Sequence, residues 1–275
     1  MIELKLIKEF PCEIMAVDEV GRAPLAGAVV VGAVRVLVQD QDSLKKLLKF
    51  LKPKGVTDSK KLNHQTRQKV LKKLKVPDLA FRETGILDFK GIEVSFVTWE
   101  MCHVTIDQEN ILAASLRAMK ESAQHLCSSE ISQPTILIDG NCKLRWGKGV
   151  KSPWNEITII KGDSKSLLIG LASIIAKEKR DAFMKDMHEL YPQYGFDTNV
   201  GYPTAAHRKA IKLFGPSPIH RLTFNGVQTT RPPKVKSTKA KGTKARAKPV
   251  KKLPPAGHPA LDITPDTQIP AVGAN

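Results

Sequence analysis

The chain has 275 residues, 41% of them apolar, and 44 Lys and Arg against 27 Asp and Glu give a net charge of +17. That is enough for one large domain or two small ones with a sizeable core, and the positive balance points to a polyanion, nucleic acid before membrane, because no basic amphipathic helix stands out. "MIELKLIKEFPCEIM" lacks a signal-peptide core, "LAGAVVVGAV" is too short to span a bilayer, and Cys12, Cys102, Cys127 and Cys142 show no CxxC spacing, so a cytoplasmic protein with reduced thiols is expected.

"EIMAVD" (13–18) is a near-continuous apolar run, as expected of a buried central strand. "AGAVVVGAVRV" (26–36) reads as a second strand, close enough to predict an antiparallel hairpin. Asn63 is placed to cap a helix over 64–75. "FRETGIL" (81–87) is a third strand candidate. Ile111, Leu112, Ser115, Leu116, Met119 and Ala123 predict a helix over 107–127. "TILID" (135–139) and "ITIIK" (157–161) are the fourth and fifth strands. Leu167, Leu168, Leu171, Ile174 and Ile175 mark a helix over 164–187, and Thr204 caps one that ends before Gly215. This order predicts a mixed sheet flanked by helices. Composition breaks near residue 231. Residues 232–275 are rich in Lys, Pro and Ala, hold nine Lys and Arg against two Asp and Glu, and read as a disordered basic tail. Such a tail suits either a solubilising extension or a non-specific arm for nucleic acid.

Carboxylates are scarce in this basic chain, and several fall at the ends of apolar strands. Asp18 and Glu19 end the first, Asp139 ends "TILID" before Gly140, and Asp163 follows "ITIIK" in "KGDSKS". A lone Asp at such a place is ordinarily a turn or cap residue, and Asp163 in particular is a plausible N-cap. Their coincidence says more. Sites in open α/β sheets form at the carboxyl ends of strands, and converging carboxylates call for cations. All-oxygen ligands suit Mg²⁺ or Mn²⁺ and disfavour zinc. Metal-dependent phosphodiester chemistry is the reading these residues support.

Six blocks, "VDEVGRAPLAG", "TDSKKL", "LIDGN", "KGDSKSLLIGLASIIAKEKRD", "YPQYGFDTNVGYPTAAH" and "GPSPIHRLTF", occur in an order and spacing that resemble bacterial ribonuclease HII from about residue 12 to 227. The resemblance implies a ribonuclease H-like fold, a mixed five-stranded sheet with helices around it and a C-terminal helical portion, over residues 1–231. It implies cleavage of RNA in RNA–DNA hybrids and at ribonucleotides embedded in duplex DNA, leaving 5′-phosphate and 3′-hydroxyl ends. The family's four acidic positions fall on Asp18, Glu19, Asp139 and Asp163, with two divalent ions, Mg²⁺ or Mn²⁺, flanking the scissile phosphate. Gly21, Arg22 and Ala23 match the motif that senses the ribose 2′-hydroxyl, and Tyr202 matches a tyrosine that packs against the sugar at the RNA–DNA junction. Lys60, Lys61, Lys165 and Lys177 are candidate phosphate contacts. Asp181 reads as structural, paired with a nearby Arg or Lys. His220 reads as structural, and His207 as structural or phosphate-facing.

The chain departs from the family pattern at Ala23, where Gly is usual. If φ there is positive, Ala costs about 1 kcal/mol; if negative, Ala fits but its methyl crowds the ribose. Glu19 is expected to reach the metals from a backbone already leaving strand geometry. Ribonuclease HIII is the rival within the fold, disfavoured because only about a dozen residues precede the first strand. A catalytically silent hybrid-binding protein is the rival from another class. A monomer is expected, with the tail adding non-specific contacts.

Overall fold

The apolar run that ends in Asp18 lies inside a sheet of six strands, one more than expected. The computed structural model describes residues 1–89, 91–128 and 130–227; the tail expected over 232–275 lies outside them. The strands are β1 (Cys12–Val20), β2 (Val29–Val38), β3 (Gly85–Asp88), β4 (Glu93–Met101), β5 (Thr135–Asp139) and β6 (Asn155–Ile159), in the spatial order β3-β4-β2-β1-β5-β6. β1 and β2 form the predicted antiparallel hairpin. β4 pairs antiparallel with β2 and β3. β5 lies parallel to β1 on its other side, with β6 parallel to β5. The additional strand is β4, "EVSFVTWEM", which had no place among the expected elements.

The helices are α1 (Glu3–Leu6), α2 (Gln41–Leu51), α3 (His64–Leu74), α4 (His103–Glu109), α5 (Ile111–Leu126), α6 (Gly162–Lys165), α7 (Leu167–Leu190), α8 (Phe196–Asn199) and α9 (Ala205–Phe214). Asn63 caps α3 through Thr66 N–H, and Thr204 caps α9 through His207 N–H, as their positions predicted. The helix expected over 107–127 is two. Asn110 takes φ +70°, ends α4, and caps α5 with its side chain. The helix expected from 164 starts later: Ser166, not Asp163, is the cap, accepting from Ile169 N–H at 3.1 Å. Glu3, fully buried, reaches the same helix start and accepts from Ser166 Oγ (2.9 Å), Leu167 N (2.6 Å) and Leu168 N (3.2 Å).

Alternation along β1 feeds two cores. Ile14 and Ala16 face α2, α3 and α7, whereas Met15 and Val17 face α5. Gly32 lets α7 approach β2 closely, since a Cβ there would stand 2.2 Å from Ala172 O. A third cluster, built on Leu25, Met184, Tyr194, Phe196 and Ile211, packs the C-terminal helices onto the segment after β1. All four cysteines are free thiols, and among the described residues no helix is long and apolar enough to cross a membrane.

Candidate active site

Because β1 and β5 are parallel neighbours, with Val17 opposite Ile138, the carboxylates that follow those residues, Asp18 and Asp139, stand at the same sheet end. β6 then leads through Lys161, in the left-handed region at φ 55°, into α6, which carries Asp163. Gly162 N–H donates to Asp139 Oδ1 at 2.6 Å, tying the two elements together. A Cβ at Gly162 would meet that oxygen at 3.1 Å and Ile169 Cδ1 at 2.7 Å, so a larger residue there would push on both side chains.

Glu19 arrives differently from what the sequence suggested. β1 keeps its register through Val20, with Glu19 opposite Val31, so the chain leaves strand geometry only at Gly21. Asp18 and Glu19 therefore leave the strand on opposite sides and share the field at its end. Burial first, then the charges of Glu19, Asp139 and Asp163, hold the Asp18 carboxyl well above the usual range; a hydrogen bond from Ser173 opposes them. Burial also raises Glu19, against the pull of Arg22, whose guanidinium lies 3.2 Å away. Asp163 is raised by burial, Asp139 and Asp58, and relieved by Lys60, whose ammonium stands 3.7 Å from its Oδ2. Burial works against the charge on Lys60, yet Asp18, Asp163, Asp58 and Asp139 together lift its pKa.

Among the described residues, no three His, Cys, Asp or Glu side chains stand close enough to hold a metal ion as placed. Glu19 is engaged by Arg22, Asp139 by Gly162, and Asp163 by Lys60. The donor chemistry nonetheless fits a hard divalent cation: every candidate donor is a carboxylate oxygen, and such an ion would neutralise their shared charge.

Gly21, Arg22 and Ala23 follow directly. Gly21 has φ +93°, and a Cβ on it would stand 2.1 Å from Arg180 Nε. Ala23 is exposed and is not among the residues with positive φ, so its backbone is unstrained and the first of the two alternatives for it falls away. Sequence reasoning missed what lies beneath this turn. Arg221, fully buried, donates to the carbonyls of Gly21 (2.6 Å), Arg22 (3.0 Å), Pro24 (2.8 Å) and Gly27 (3.0 Å). Arg180, also fully buried, donates to those of Ala26, Ala28 and Val200. Tyr202, 38% exposed, stands next to Gly201, whose carbonyl accepts Leu25 N–H at 2.8 Å.

The remaining candidates separate. Lys60, Lys61 and Lys165 are exposed, and Lys60 alone is tied to the acidic cluster. Lys177 is half-buried and paired with Asp181 at 2.5 Å. Asp181 also holds Arg67 at 2.9 Å, as its structural reading required. His207 is fully buried and bonds inward, so it does not face a phosphate. Asp58 and Ser173 were not singled out, although both fall inside the quoted sequence blocks.

A family model described as ribonuclease HII matches residues 15–227. The chain belongs to the ribonuclease HII family. Its activity is that of a ribonuclease H. Ribonuclease HII of Desulfotalea psychrophila is 40% identical over 215 residues, spanning 78% of this chain and 81% of that one. Ribonuclease HII of Chloroherpeton thalassium is likewise 40% identical, over 77% and 89%. The structure of ribonuclease H2 from Pyrococcus horikoshii shares the fold with a TM-score of 0.53 at 24% identity, over 78% of this chain and 95% of that one. So does Bst-RNase HIII in complex with Mn²⁺, with a TM-score of 0.52 at 18% identity, over 79% and 68%.

Proposed function

We propose that this ribonuclease HII hydrolyses the RNA strand of RNA–DNA hybrids and also cuts at ribonucleotides embedded in duplex DNA, leaving 5′-phosphate and 3′-hydroxyl ends. Asp18, Glu19, Asp139 and Asp163 would hold Mg²⁺ or Mn²⁺. The observation that carries this reading is the crowding of buried carboxylates at one sheet end, where burial and three neighbouring charges raise Asp18. Held by those carboxylates, divalent cations would supply Lewis-acid chemistry, lowering the pKa of a water and neutralising charge on a leaving oxygen.

The chain's own residues prepare the site. Ser173 orients Asp18, and Gly162 N–H orients Asp139. Arg22 and Lys60 balance Glu19 and Asp163; both are exposed enough to turn to an entering phosphate backbone. Lys61 and Lys165 extend that cationic edge. Lys177 would have to leave Asp181 to join it, so it is the weakest of the four. The Gly21 turn lets backbone approach the sugar closely, with Arg22 and Ala23 on its exposed side, and Tyr202 packs against the ribose at the junction. Residues 1–231 form the catalytic part, active as a monomer, and the basic tail 232–275 adds non-specific contacts.

The test is cleavage of a hybrid and of a duplex with one ribonucleotide, in Mg²⁺ and in Mn²⁺, by wild type and Asp139→Asn. Wild type should cut both, and the variant should bind the hybrid without cutting. A wild-type protein that binds but never cuts with either ion overturns the metal reading. One that cuts the hybrid alone overturns the embedded-ribonucleotide reading.

A further inference from the structure

Two pieces of the chain that touch the sugar in the reading above, the Gly21–Ala23 turn and Tyr202, come from opposite ends of the domain. One short segment, Ser217–Arg221, holds both. Its backbone bonds to the loop after the turn: Gly27 N–H donates to Ile219 O (2.9 Å), Arg221 N–H donates to Leu25 O (2.8 Å), and Ala26 bridges His220. The Arg221 guanidinium collects four carbonyls of the same stretch.

From the same segment His220 reaches the other way. Ser217 N–H donates to His220 Nδ1 at 2.8 Å, so that nitrogen is the unprotonated one. In a neutral ring the proton then sits on Nε2, which faces His207 Nε2 at 3.0 Å. His207 must accept there, which puts its own proton on Nδ1, 2.8 Å from Tyr202 O, an obligatory acceptor. Backbone groups at both ends therefore fix one tautomer for each ring. Both rings are buried, and burial pushes both below the usual histidine range, His220 to about 4, in keeping with two neutral imidazoles. Tyr194 and Phe196 pack against the pair at ring-centroid distances of 4.9–5.8 Å and 5.4–6.4 Å from His220 and His207.

We propose that Ser217, His220 and His207 are positioning residues: a relay of hydrogen bonds that sets where Tyr202 stands relative to the Gly21–Ala23 turn, and so sets discrimination for a ribonucleotide at an RNA–DNA junction. The inference rests on the proposed role of Tyr202. The relay touches no substrate; it acts through the Tyr202 carbonyl, while Arg221 anchors its origin to the turn. Misplacing a sugar-contacting ring is costly because productive geometry tolerates little displacement.

The test uses the ratio of kcat/KM for a duplex with one ribonucleotide to that for an RNA-tract hybrid, measured on the full chain. His207→Asn places an amide N–H where Nδ1 stands and keeps the bond to Tyr202 O. His207→Gln places its amide near Nε2 and loses that bond. The ratio should fall about tenfold in His207→Gln and stay within about threefold of wild type in His207→Asn. Should His207→Gln fail to fold, His220→Asn serves in its place: its amide oxygen can still accept from Ser217 N–H where Nδ1 stands, but the bond from Nε2 to His207 is lost; a lowered ratio supports the relay and an unchanged one overturns it. Tyr202→Ala is the companion. If Tyr202→Ala lowers the ratio but both His207 variants match wild type, the relay is refuted and the Tyr202 reading survives. If Tyr202→Ala leaves the ratio unchanged, the Tyr202 reading fails and the relay with it.

Discussion

Gly21→Ala should be among the most damaging single-methyl additions in the domain. The residue sits at φ +93°, where a Cβ costs about 1–2 kcal/mol by itself. The new Cβ would also stand 2.1 Å from Arg180 Nε, 2.7 Å from its Cδ and 2.9 Å from its Cζ. That guanidinium cannot simply withdraw, because it is fully buried and bonded to the carbonyls of Ala28, Val200 and Ala26. Losing one charged hydrogen bond costs about 1.5–3 kcal/mol, so the substitution should destabilise by about 3–5 kcal/mol in all. At about 2–4 °C per kcal/mol for a domain of this size, Tm should fall by roughly 10 °C. Thermal unfolding followed by circular dichroism measures it. Ala23→Gly is the control, since Ala23 is exposed with negative φ, and its cost should stay within about 1 kcal/mol. A Gly21→Ala protein that melts within 2–3 °C of wild type would mean, on the same about 2–4 °C per kcal/mol scale, that the turn yields freely and that the arginines beneath it do not fix it.

Asp18→Asn should abolish cleavage and yet stabilise the metal-free protein by about 1 kcal/mol, as removing a strained charge from a functional site commonly does. The sign follows from Asp18 being raised by burial and three neighbouring carboxylates: its penalty is absent below the ordinary value of about 3.9 and grows as pH rises through the raised folded value. In chelator, the Tm of the variant should therefore exceed that of wild type by a margin that widens from acid to neutral pH, and saturating Mg²⁺ should narrow it by stabilising wild type; a constant margin would refute the assignment. Glu3→Ala should cost about 2–4 kcal/mol, because Leu167 and Leu168 N–H lose their buried acceptor; urea unfolding measures it, and a loss below about 0.5 kcal/mol would mean that water replaces the carboxylate. Ala23→Gly should keep the metal site while altering the preference between one embedded ribonucleotide and an RNA tract; equal ratios for variant and wild type would show that the Ala23 methyl does not meet the sugar.

What the sequence made legible was local. Asp18 and Asp139 stood out because apolar runs end in a carboxylate and a change of direction follows. Asn63 and Thr204 were readable because a cap is settled by residues within one turn. α2 also carried a usable signal, Leu44, Leu47, Leu48 and Leu51 at helical spacing, all buried, which went unassigned. β4 was harder: it becomes a strand between β2 and β3, and that pairing is set by tertiary context. The role of Arg221 had no local signal at all. Its bond to Gly21 O spans 200 residues of sequence, and an arginine followed by Leu and Thr reads as surface until the fold turns it inward.

Those two buried arginines also explain the charge plan of the site. Neither Arg180 nor Arg221 forms an ion pair among the described residues; their hydrogen bonds go to carbonyl oxygens, and Arg221 also lies over the Phe224 ring, 5.0 Å from its centroid. Burial lowers Arg180 to about 10, and burial with the charge of Arg180 lowers Arg221 to about 9, so both stay cationic at neutral pH. Within a few residues, then, the chain passes from crowded carboxylates to a turn resting on two buried guanidiniums that have no ion-pair partner among the described residues. A buried charge without a partner is costly unless the fold gains something else from it. Here the gain is geometric and electrostatic together. The carbonyls of the turn are drawn inward onto the guanidiniums, which puts two buried positive charges beneath it. Under the proposed function, a phosphodiester that brought its negative charge to the turn and met cations at Asp18 would satisfy both halves at once, which neither a cation alone nor an anion alone could do.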